Sequence, residues 1–198
     1  MKRGDRRTLT IQGTPLDCEY LGRGHFCKGA WRNGEWVYLF VEGDVLKEAV
    51  EHHCQGIPHL PELFRLDDPD PHKDTMLYKM RYYPTVTAQD ARAWRELRQL
   101  QAARAHAVTV CMKVPGFRWA VDAFKVNEGT IEHLSAGPLH DAAQALYEAI
   151  SLYGAGCAFE FAPRNCGVGK DGALILRDCA FDAERMEQER RAKHPVYA

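Results

Sequence analysis

Alternating apolar and polar positions run through the first part of the chain and predict β-strands from Thr8 to about Val41. The side chains of this stretch are rich in the aromatic and β-branched types that favour strands. Those residues are Leu9, Ile11, Tyr20, Phe26, Trp31, Trp36, Tyr38 and Phe40. The pair Asn33–Gly34 lies between two such runs and predicts a hairpin, because a type I′ turn needs positive φ at both central residues.

A short helix and another strand are predicted next. Asp44 is placed to cap a helix that runs toward His53, and the sequence Gly56-Ile57-Pro58 ends that helix. A short apolar stretch and a loop rich in proline and aspartate follow. Residues 76–83 again have strand character, and Pro84 stops the strand because proline cannot donate a hydrogen bond to a sheet.

Beyond Pro84 the apolar spacing becomes helical. Thr87 is placed to cap a helix that runs through Ala105, and Pro138 precedes a second helix, because proline is favoured at the first helical position. The apolar positions of the first helix are Ala91, Trp94, Leu97 and Leu100. Those of the second are Leu139, Ala142, Leu146, Ile150 and Leu152.

A small hairpin and a charged tail complete the pattern. Strands 166–168 and 173–177 are joined by a short turn that contains glycine, and residues 183–193 predict a solvated helix. Strands come first and helices afterwards, which predicts an α+β fold with two lobes, residues 1–83 and 84–198.

Composition and charge narrow the classes of partner. The chain has 198 residues, 45% of them apolar, which is enough to bury a core without disulfides or metal. Its 26 basic and 27 acidic residues leave a net charge of −1, so a nucleic-acid partner has no support. No apolar run approaches the length of a membrane span, so no membrane association is expected. The seven cysteines, without a Cys-x-x-Cys, are interpreted as reduced, mostly buried thiols of a cytoplasmic protein.

The first motif with candidate chemistry is Leu21-Gly22-Arg23-Gly24-His25-Phe26. Glycines at alternate positions of a hairpin let backbone N–H groups approach phosphate closely, and Phe26 can close the loop over it. The same residues are also compatible with the tight turn of an ordinary hairpin. Both interpretations stay open.

The second motif surrounds the small hairpin of the second lobe. Glu160 lies 5 residues before Asn165, and Asp178 lies 13 residues after it. Asn165 and Asp178 then stand at the two ends of the hairpin, where their oxygens can converge on a hard cation such as Mg²⁺. Glu160 precedes them as a base or an orienting group.

In these two motifs the chain resembles the protein-kinase-like superfamily, in which a Gly-rich hairpin is followed by a D-x-x-x-x-N loop and a metal-binding D-F-G aspartate. The motifs are most similar to those of the small kinase-like proteins of tailed bacteriophages. The resemblance covers roughly residues 21–50 and 149–181. It implies a two-lobed minimal protein-kinase-like fold, with a β-rich N-lobe and a helical C-lobe that carries the small catalytic-loop hairpin.

The resemblance further implies a phosphotransferase that uses ATP with Mg²⁺ or Mn²⁺ and modifies host proteins on Ser or Thr in the host cytoplasm. Asn165 and Asp178 would bind the metal, and Glu160 would orient or deprotonate the hydroxyl. Glycines, lysines and the strand end before Pro84 would bind the nucleotide. These cofactor-binding residues are Gly22, Gly24, Phe26, Lys28, Lys47, Met80 and Tyr82.

Several positions depart from the family pattern. Glu160 stands where the family has its catalytic aspartate, and Asp178-Cys179-Ala180 keeps only the metal ligand of D-F-G. Phe40 falls where the third strand has its phosphate-binding lysine, and Lys28 and Lys47 are candidate replacements. These departures favour the alternative of a pseudokinase that binds and inhibits or redirects a host protein. An unrelated α+β domain is the third interpretation.

Two other residue groups have simpler explanations. His52-His53-Cys54 lacks the ligand spacing of a zinc site, because neighbouring helix residues point about 100° apart. A row of arginines on the helix after Thr87 is interpreted as a solvated face, with docking to an acidic partner as the alternative. These arginines are Arg92, Arg95, Arg98 and Arg104.

Overall fold

The protein is α+β in a computed structural model, with a six-stranded antiparallel sheet in the N-terminal part and helices and small hairpins in the C-terminal part. The structure describes residues 1–24, 27–42, 44–66, 75–153 and 156–193. The chain divides into two compact units. Unit 1 comprises Met1–Gln55 and Pro61–Tyr82, and unit 2 comprises Gly56–Leu60 and Tyr83–Ala198.

Unit 1 is built from six strands and one helix. The strands are β1 (Arg6–Ile11), β2 (Thr14–Gly22), β3 (Cys27–Asn33), β4 (Trp36–Glu42), β5 (Leu63–Leu66) and β6 (Thr75–Arg81), and helix α1 (Val45–His53) lies between β4 and β5 in the chain. The order in the sheet is β1-β2-β3-β4-β6-β5. The predicted hairpin at Asn33–Gly34 joins β3 to β4. Asn33 pairs with Trp36, so the central residues of the turn are Gly34 and Glu35, one position later than expected. Gly34 has a φ of 58° and Glu35 does not have a positive φ, so the turn is not the expected type I′.

The two faces of this sheet have different partners. Leu77 of β6 lies in an apolar cluster, and Phe40 of β4 pairs with Leu77 and packs against the same cluster. Its other buried members are Ile11, Cys18, Trp31 and Tyr38. Successive strand residues point to opposite faces, so Tyr78 lies on the other side, fully buried. Burial raises the pKa of Tyr78 to about 12. Helix α1 lies on this second face, because the N–H of Arg65, which pairs with Tyr78, donates to Glu51 Oε1 at 3.1 Å, while none of the described side chains of α1 lies in the apolar cluster.

Unit 2 is built from helices and two short antiparallel pairs of strands. The helices are α2 (Ala91–Cys111), α3 (Trp119–Glu132), α4 (Pro138–Ser151) and α5 (Ala183–Lys193). Strand β7 (Cys157–Phe159) pairs with β10 (Ala180–Asp182). Between them in the chain, β8 (Cys166–Val168) pairs with β9 (Leu174–Leu176) in a hairpin. None of the helices that the structure describes is both long and apolar enough to cross a membrane.

The short segment Gly56–Leu60 belongs to unit 2 because it bonds to β9. His59 is buried, and its Nδ1 donates to the carbonyl oxygen of Leu174 at 2.8 Å. The N–H of Leu176 donates to the carbonyl oxygen of His59, also at 2.8 Å. These bonds attach a segment that lies between α1 and β5 in the sequence to the small hairpin of unit 2.

Some predicted helix boundaries are confirmed and others are wrong. Pro138 is the first residue of α4, as expected. Helix α2 begins after Asp90 and not at Thr87, because the N–H and the hydroxyl of Thr87 both donate to the Asp90 carboxylate, at 2.8 Å each, in a turn ahead of the helix. The helix continues to Cys111 and not merely to Ala105. Helix α3 and strands β7 and β10 have no counterpart among the predicted elements.

Gly167 of β8 occupies a position where a larger residue would collide with its neighbours. A Cβ there would lie 2.5 Å from Tyr83 Cβ and 3.1 Å from Arg177 Cδ. We expect Gly167→Ala to lower the free energy of unfolding by about 1–3 kcal/mol, because overpacking forces neighbouring atoms to shift. Urea unfolding measures the loss. The control is Gly24→Ala, whose Cβ would meet Cys27 Cβ at an ordinary 3.7 Å, and equal losses in the two variants would contradict the collision.

Candidate functional site

Two loops of unit 2 bring together the three residues predicted to carry the chemistry. Glu160 follows β7, Asn165 ends a 3₁₀ turn just before β8, and Asp178 lies between β9 and β10. The N–H of Asp178 donates to the carbonyl oxygen of Asn165 at 3.0 Å, and the N–H of Glu160 donates to that of Cys179 at 2.8 Å. The two loops are therefore bonded to each other through their backbones.

The side chain of Asn165 is oriented by Glu160. Its Nδ2 donates to Glu160 Oε2 at 3.0 Å, with a longer contact of 3.4 Å to the Glu160 carbonyl oxygen. A side-chain amide donates through its nitrogen and accepts through its oxygen. Because the nitrogen of Asn165 faces Glu160, Asn165 Oδ1 is turned away from Glu160. The Arg164 guanidinium donates to Glu160 Oε1. Both carboxylate oxygens of Glu160 thus accept hydrogen bonds.

The oxygens of Asn165 and Asp178 suit a magnesium ion. Mg²⁺ prefers oxygen ligands, keeps several waters and is bound through one or two side chains together with phosphate oxygens. Asp178 is exposed and Asn165 is half-buried, which leaves room for those other ligands. Among the described residues, which include His52, His53 and Cys54, no group of three or more His, Cys, Asp or Glu could hold a metal. The donor set therefore fits a hydrated, phosphate-bound cation and not a cage of protein ligands.

Helix α2 supports the loop on both sides of Glu160. Arg104 Nε donates to the carbonyl oxygen of Phe159 at 2.8 Å, and Gln101 Nε2 donates to that of Phe161 at the same distance. Burial lowers the pKa of Arg104, and the charge of Glu160 opposes that effect. Arg104 therefore faces the loop, which corrects the interpretation that all four arginines of α2 form one solvated face.

Asn127 of α3 holds strand β7 in place. It is 1% exposed, its Nδ2 donates to the carbonyl oxygen of Cys157 at 2.8 Å, and its Oδ1 accepts from the N–H of Phe159 at 3.0 Å. Successive residues of a strand point their backbone groups to opposite edges, so Cys157 and Phe159, two positions apart, share one edge. Asn127 therefore bonds to the edge of β7 that does not pair with β10. It takes the place of a further strand directly before Glu160.

Arg177 connects the loop of Asp178 to two other segments of unit 2. Its Nη1 donates to the carbonyl oxygen of Tyr83 at 2.8 Å, and its Nη2 donates to that of Arg164 at 2.8 Å. A longer bond of 3.3 Å reaches the Thr85 hydroxyl. The guanidinium therefore fixes the strand end that leads into Asp178.

Each of the two expected metal ligands is followed by a cysteine. Cys166 follows Asn165, Cys179 follows Asp178, and the two Sγ atoms lie 3.4 Å apart. Both cysteines are buried. Burial, together with the neighbouring Cys166 thiol, raises the pKa of Cys179 well above its ordinary value, so this thiol stays protonated at neutral pH.

In unit 1 the expected phosphate-binding hairpin joins β2 to β3. Gly22 ends β2 with a φ of 141°, a conformation that favours glycine. The N–H of Gly24 donates to the carbonyl oxygen of Cys27 at 2.9 Å. Phe26, the residue expected to close the loop, lies outside the described residues. The phosphate-binding role of this hairpin stays a prediction.

The two candidate replacements for the strand lysine differ in environment. Lys28 is exposed, and its Nζ lies 2.5 Å from the Glu42 carboxylate in a surface ion pair. Lys47 lies in the first turn of α1, is nearly buried, and has its Nζ 3.9 Å from the Asp44 carboxylate. The family's lysine pairs with a glutamate of the helix and so belongs on the α1 face, whereas Phe40 lies on the opposite face. The β4 residues on the α1 face are Val37, Leu39 and Val41.

The segment expected to bind adenine uses its backbone within unit 1. Met80 is buried in β6, and the N–H of Arg81 donates to the carbonyl oxygen of Glu62 at 3.3 Å. The N–H of Tyr82 donates to the carbonyl oxygen of Glu35 at 2.7 Å. These two N–H groups could reach a base only by giving up those bonds, and nucleotide binding by Met80 and Tyr82 stays a prediction.

No protein-family model, no curated protein and no solved structure matches this chain. The spacing of residues in the sequence identified Glu160, Asn165 and Asp178 as candidates, but it did not identify the side chains that support their loops. Gln101 and Arg104 bond to carbonyl oxygens some 60 and 55 positions away, which leaves no local pattern. Asn127 did not stand out in the sequence either, because the charged residues Asp122, Lys125 and Glu128 lie close to it in α3.

Proposed function

We propose that the chain is an ATP-dependent phosphotransferase of the protein-kinase type that uses Mg²⁺ or Mn²⁺ and modifies Ser or Thr of a host protein. The observation that carries this proposal is the bond between the Asp178 N–H and the Asn165 carbonyl oxygen, which holds the two expected metal ligands side by side. The order of elements in unit 1 supports it. The glycine-containing hairpin of β2 and β3 is followed by β4, helix α1, β5 and β6, and the resembled family has a hairpin, a strand, a helix and two strands in the same order.

Three residues of the loops, Glu160, Asn165 and Asp178, have stated roles in this proposal. Asn165 Oδ1 and the Asp178 carboxylate would hold the metal, which when bound neutralises charge on the phosphate oxygens. Glu160 would accept the proton of the substrate hydroxyl as a general base. Its oxygens already accept bonds from Arg164 and Asn165, but a carboxylate offers about four lone-pair sites, so it can keep both and accept a third.

The alternative is a pseudokinase that binds a host protein and inhibits or redirects it without phosphoryl transfer. Two observations favour this alternative. Apolar side chains stand on the α1 face of β4, where the family's lysine is expected. Glu160 is also engaged by Arg164, an ion pair that must persist or reorganise before the carboxylate can act as a base.

Transfer of radiolabelled γ-phosphate from ATP to the chain itself or to a host lysate distinguishes the phosphotransferase from the pseudokinase. We expect transfer by the wild-type chain in Mg²⁺ or Mn²⁺ and none above background by Asp178→Asn. Glu160→Gln should lower the rate by roughly 10²-fold or more, because a positioned general base contributes 10²–10⁴-fold.

The matched control is Asp141→Asn, which makes the same chemical change at an exposed aspartate of α4 and should transfer phosphate like the wild type. Wild-type transfer no greater than that of Asp178→Asn would contradict the enzyme and leave the pseudokinase. In that case the biological effect of the chain should survive Asp178→Asn.

A further inference from the structure

The contact between two thiols directly behind the expected metal ligands is a feature that the proposed function does not use. The Sγ atoms of Cys166 and Cys179 are 3.4 Å apart. A disulfide needs an S–S distance of about 2.05 Å, so the two sulfurs must approach each other by about 1.35 Å. The preceding residues, Asn165 and Asp178, are already joined by a backbone hydrogen bond, which keeps the two chain segments together.

We propose that this pair is a site of oxidative modification, at which hydrogen peroxide forms a disulfide between Cys166 and Cys179 in the folded chain. The sulfur of Cys166 attacks a peroxide oxygen and breaks the O–O bond, and its proton leaves with the released hydroxide as water, which yields a sulfenic acid on Cys166 and one water. The second thiol displaces the hydroxyl group as another water and forms the S–S bond. Each sulfur loses one electron, and the peroxide is reduced to two waters.

The surroundings of the pair allow a small oxidant to reach it. Both cysteines are buried, which shields them from bulky thiol reagents. Each one directly follows a residue that solvent reaches, since Asp178 is exposed and Asn165 is half-buried. Hydrogen peroxide is little larger than water, so a small local opening of either loop admits it.

The disulfide would also act on the expected metal ligands, and this consequence rests on the proposed function. The sulfurs must move about 1.35 Å closer, and the part of this movement that side-chain rotation does not absorb shifts the backbone next to Asn165 and Asp178. Mg²⁺ demands near-ideal octahedral geometry, so this displacement should weaken metal binding. Misplaced support around metal ligands lowers affinity by about 10–100-fold, and we expect at least the lower value.

Peptide mapping of the wild-type chain after peroxide treatment tests the modification. Free thiols are blocked with iodoacetamide in denaturant, and the chain is then cut with trypsin. Cleavage after Arg164, Lys170, Arg177 and Arg185 places Cys166 in peptide 165–170 and Cys179 in peptide 178–185. The expected result is a reducible link between these two peptides and the loss of alkylation at both cysteines. Full alkylation of both peptides after peroxide treatment would overturn the proposal.

Variants show that the link is specific to this pair. Cys166→Ala and Cys179→Ala should each lose it, whereas Cys111→Ala, at a buried cysteine of α2, should keep it. The mapping of the wild-type chain decides the question even where a variant does not fold. A link that forms with equal yield from another cysteine to either peptide would also contradict a specific site.

A Mn²⁺ titration in the presence of ATP, followed by electron paramagnetic resonance, separates the modification from the proposed function. The oxidised chain should bind Mn²⁺ about tenfold more weakly than the reduced chain. Equal affinities would overturn the effect on the ligands and leave the modification site in place. Failure of the reduced chain to bind Mn²⁺ would contradict the proposed function, while the peptide link still decides the modification.

Discussion

Asp178→Asn is expected to abolish the stabilisation that Mg²⁺-ATP gives to the wild-type chain. A ligand at 100 times its Kd that binds the native state alone raises the free energy of unfolding by about 2.7 kcal/mol. The substitution removes the negative charge that attracts the cation. It keeps the backbone bond from residue 178 to the Asn165 carbonyl oxygen, and the side chain is exposed, so the fold should persist.

Unfolding by heat or urea, with and without Mg²⁺-ATP, measures this effect in both chains. Asp141→Asn, which leaves the loops untouched, should show the full wild-type shift. An equal shift in Asp178→Asn would mean that nucleotide binds without this carboxylate and would contradict its role as a ligand. No shift in the wild-type chain at millimolar Mg²⁺-ATP would contradict the nucleotide site altogether.

The fold class can be predicted because the spacing of apolar residues changes near Pro84, from strand alternation to helical periodicity. Strong local signals predict the hairpin between β3 and β4 to within one residue and correctly place the start of α4 at Pro138. Helix α3 is not predicted because its buried face includes two polar residues, Asn127 and Thr130, which obscure the amphipathic pattern. Strands β7 and β10 have three residues each, too few for a period of two to be recognised.

The loops of the candidate site are more predictable than their surroundings. Asn165 and Asp178 come together because the β8–β9 hairpin separates them, and a short 3₁₀ turn separates Glu160 from Asn165, so spacing in the sequence becomes spacing in the fold. The position that would correspond to the lysine of the resembled family is not predictable to one residue, and a shift of one residue along a strand moves a side chain to the opposite face of the sheet. That is why Phe40, placed there by the resemblance, lies on the face opposite to α1.

Asn127→Leu is expected to destabilise unit 2 more than any surface substitution. Leu branches at Cγ as Asn does but is larger, so the change removes the hydrogen bonds and also crowds a site that is 1% exposed. The carbonyl oxygen of Cys157 and the N–H of Phe159 would then lose their partners in a buried environment. A buried polar group without a partner costs about 1–3 kcal/mol, so the two together should lower the free energy of unfolding by about 2–6 kcal/mol.

Urea unfolding of Asn127→Leu measures this loss against Gln144→Ala, in which the lost amide bonds Glu148 on the exposed side of α4. The control should stay within about 0.5 kcal/mol of the wild type, because water replaces the lost partner. Because β7 leads directly into Glu160, a destabilised β7 should also weaken Mn²⁺ binding in whatever Asn127→Leu remains folded. Equal stability of the two variants would show that β7 does not depend on the Asn127 amide, and the support of the loop would then rest on Gln101 and Arg104 of α2.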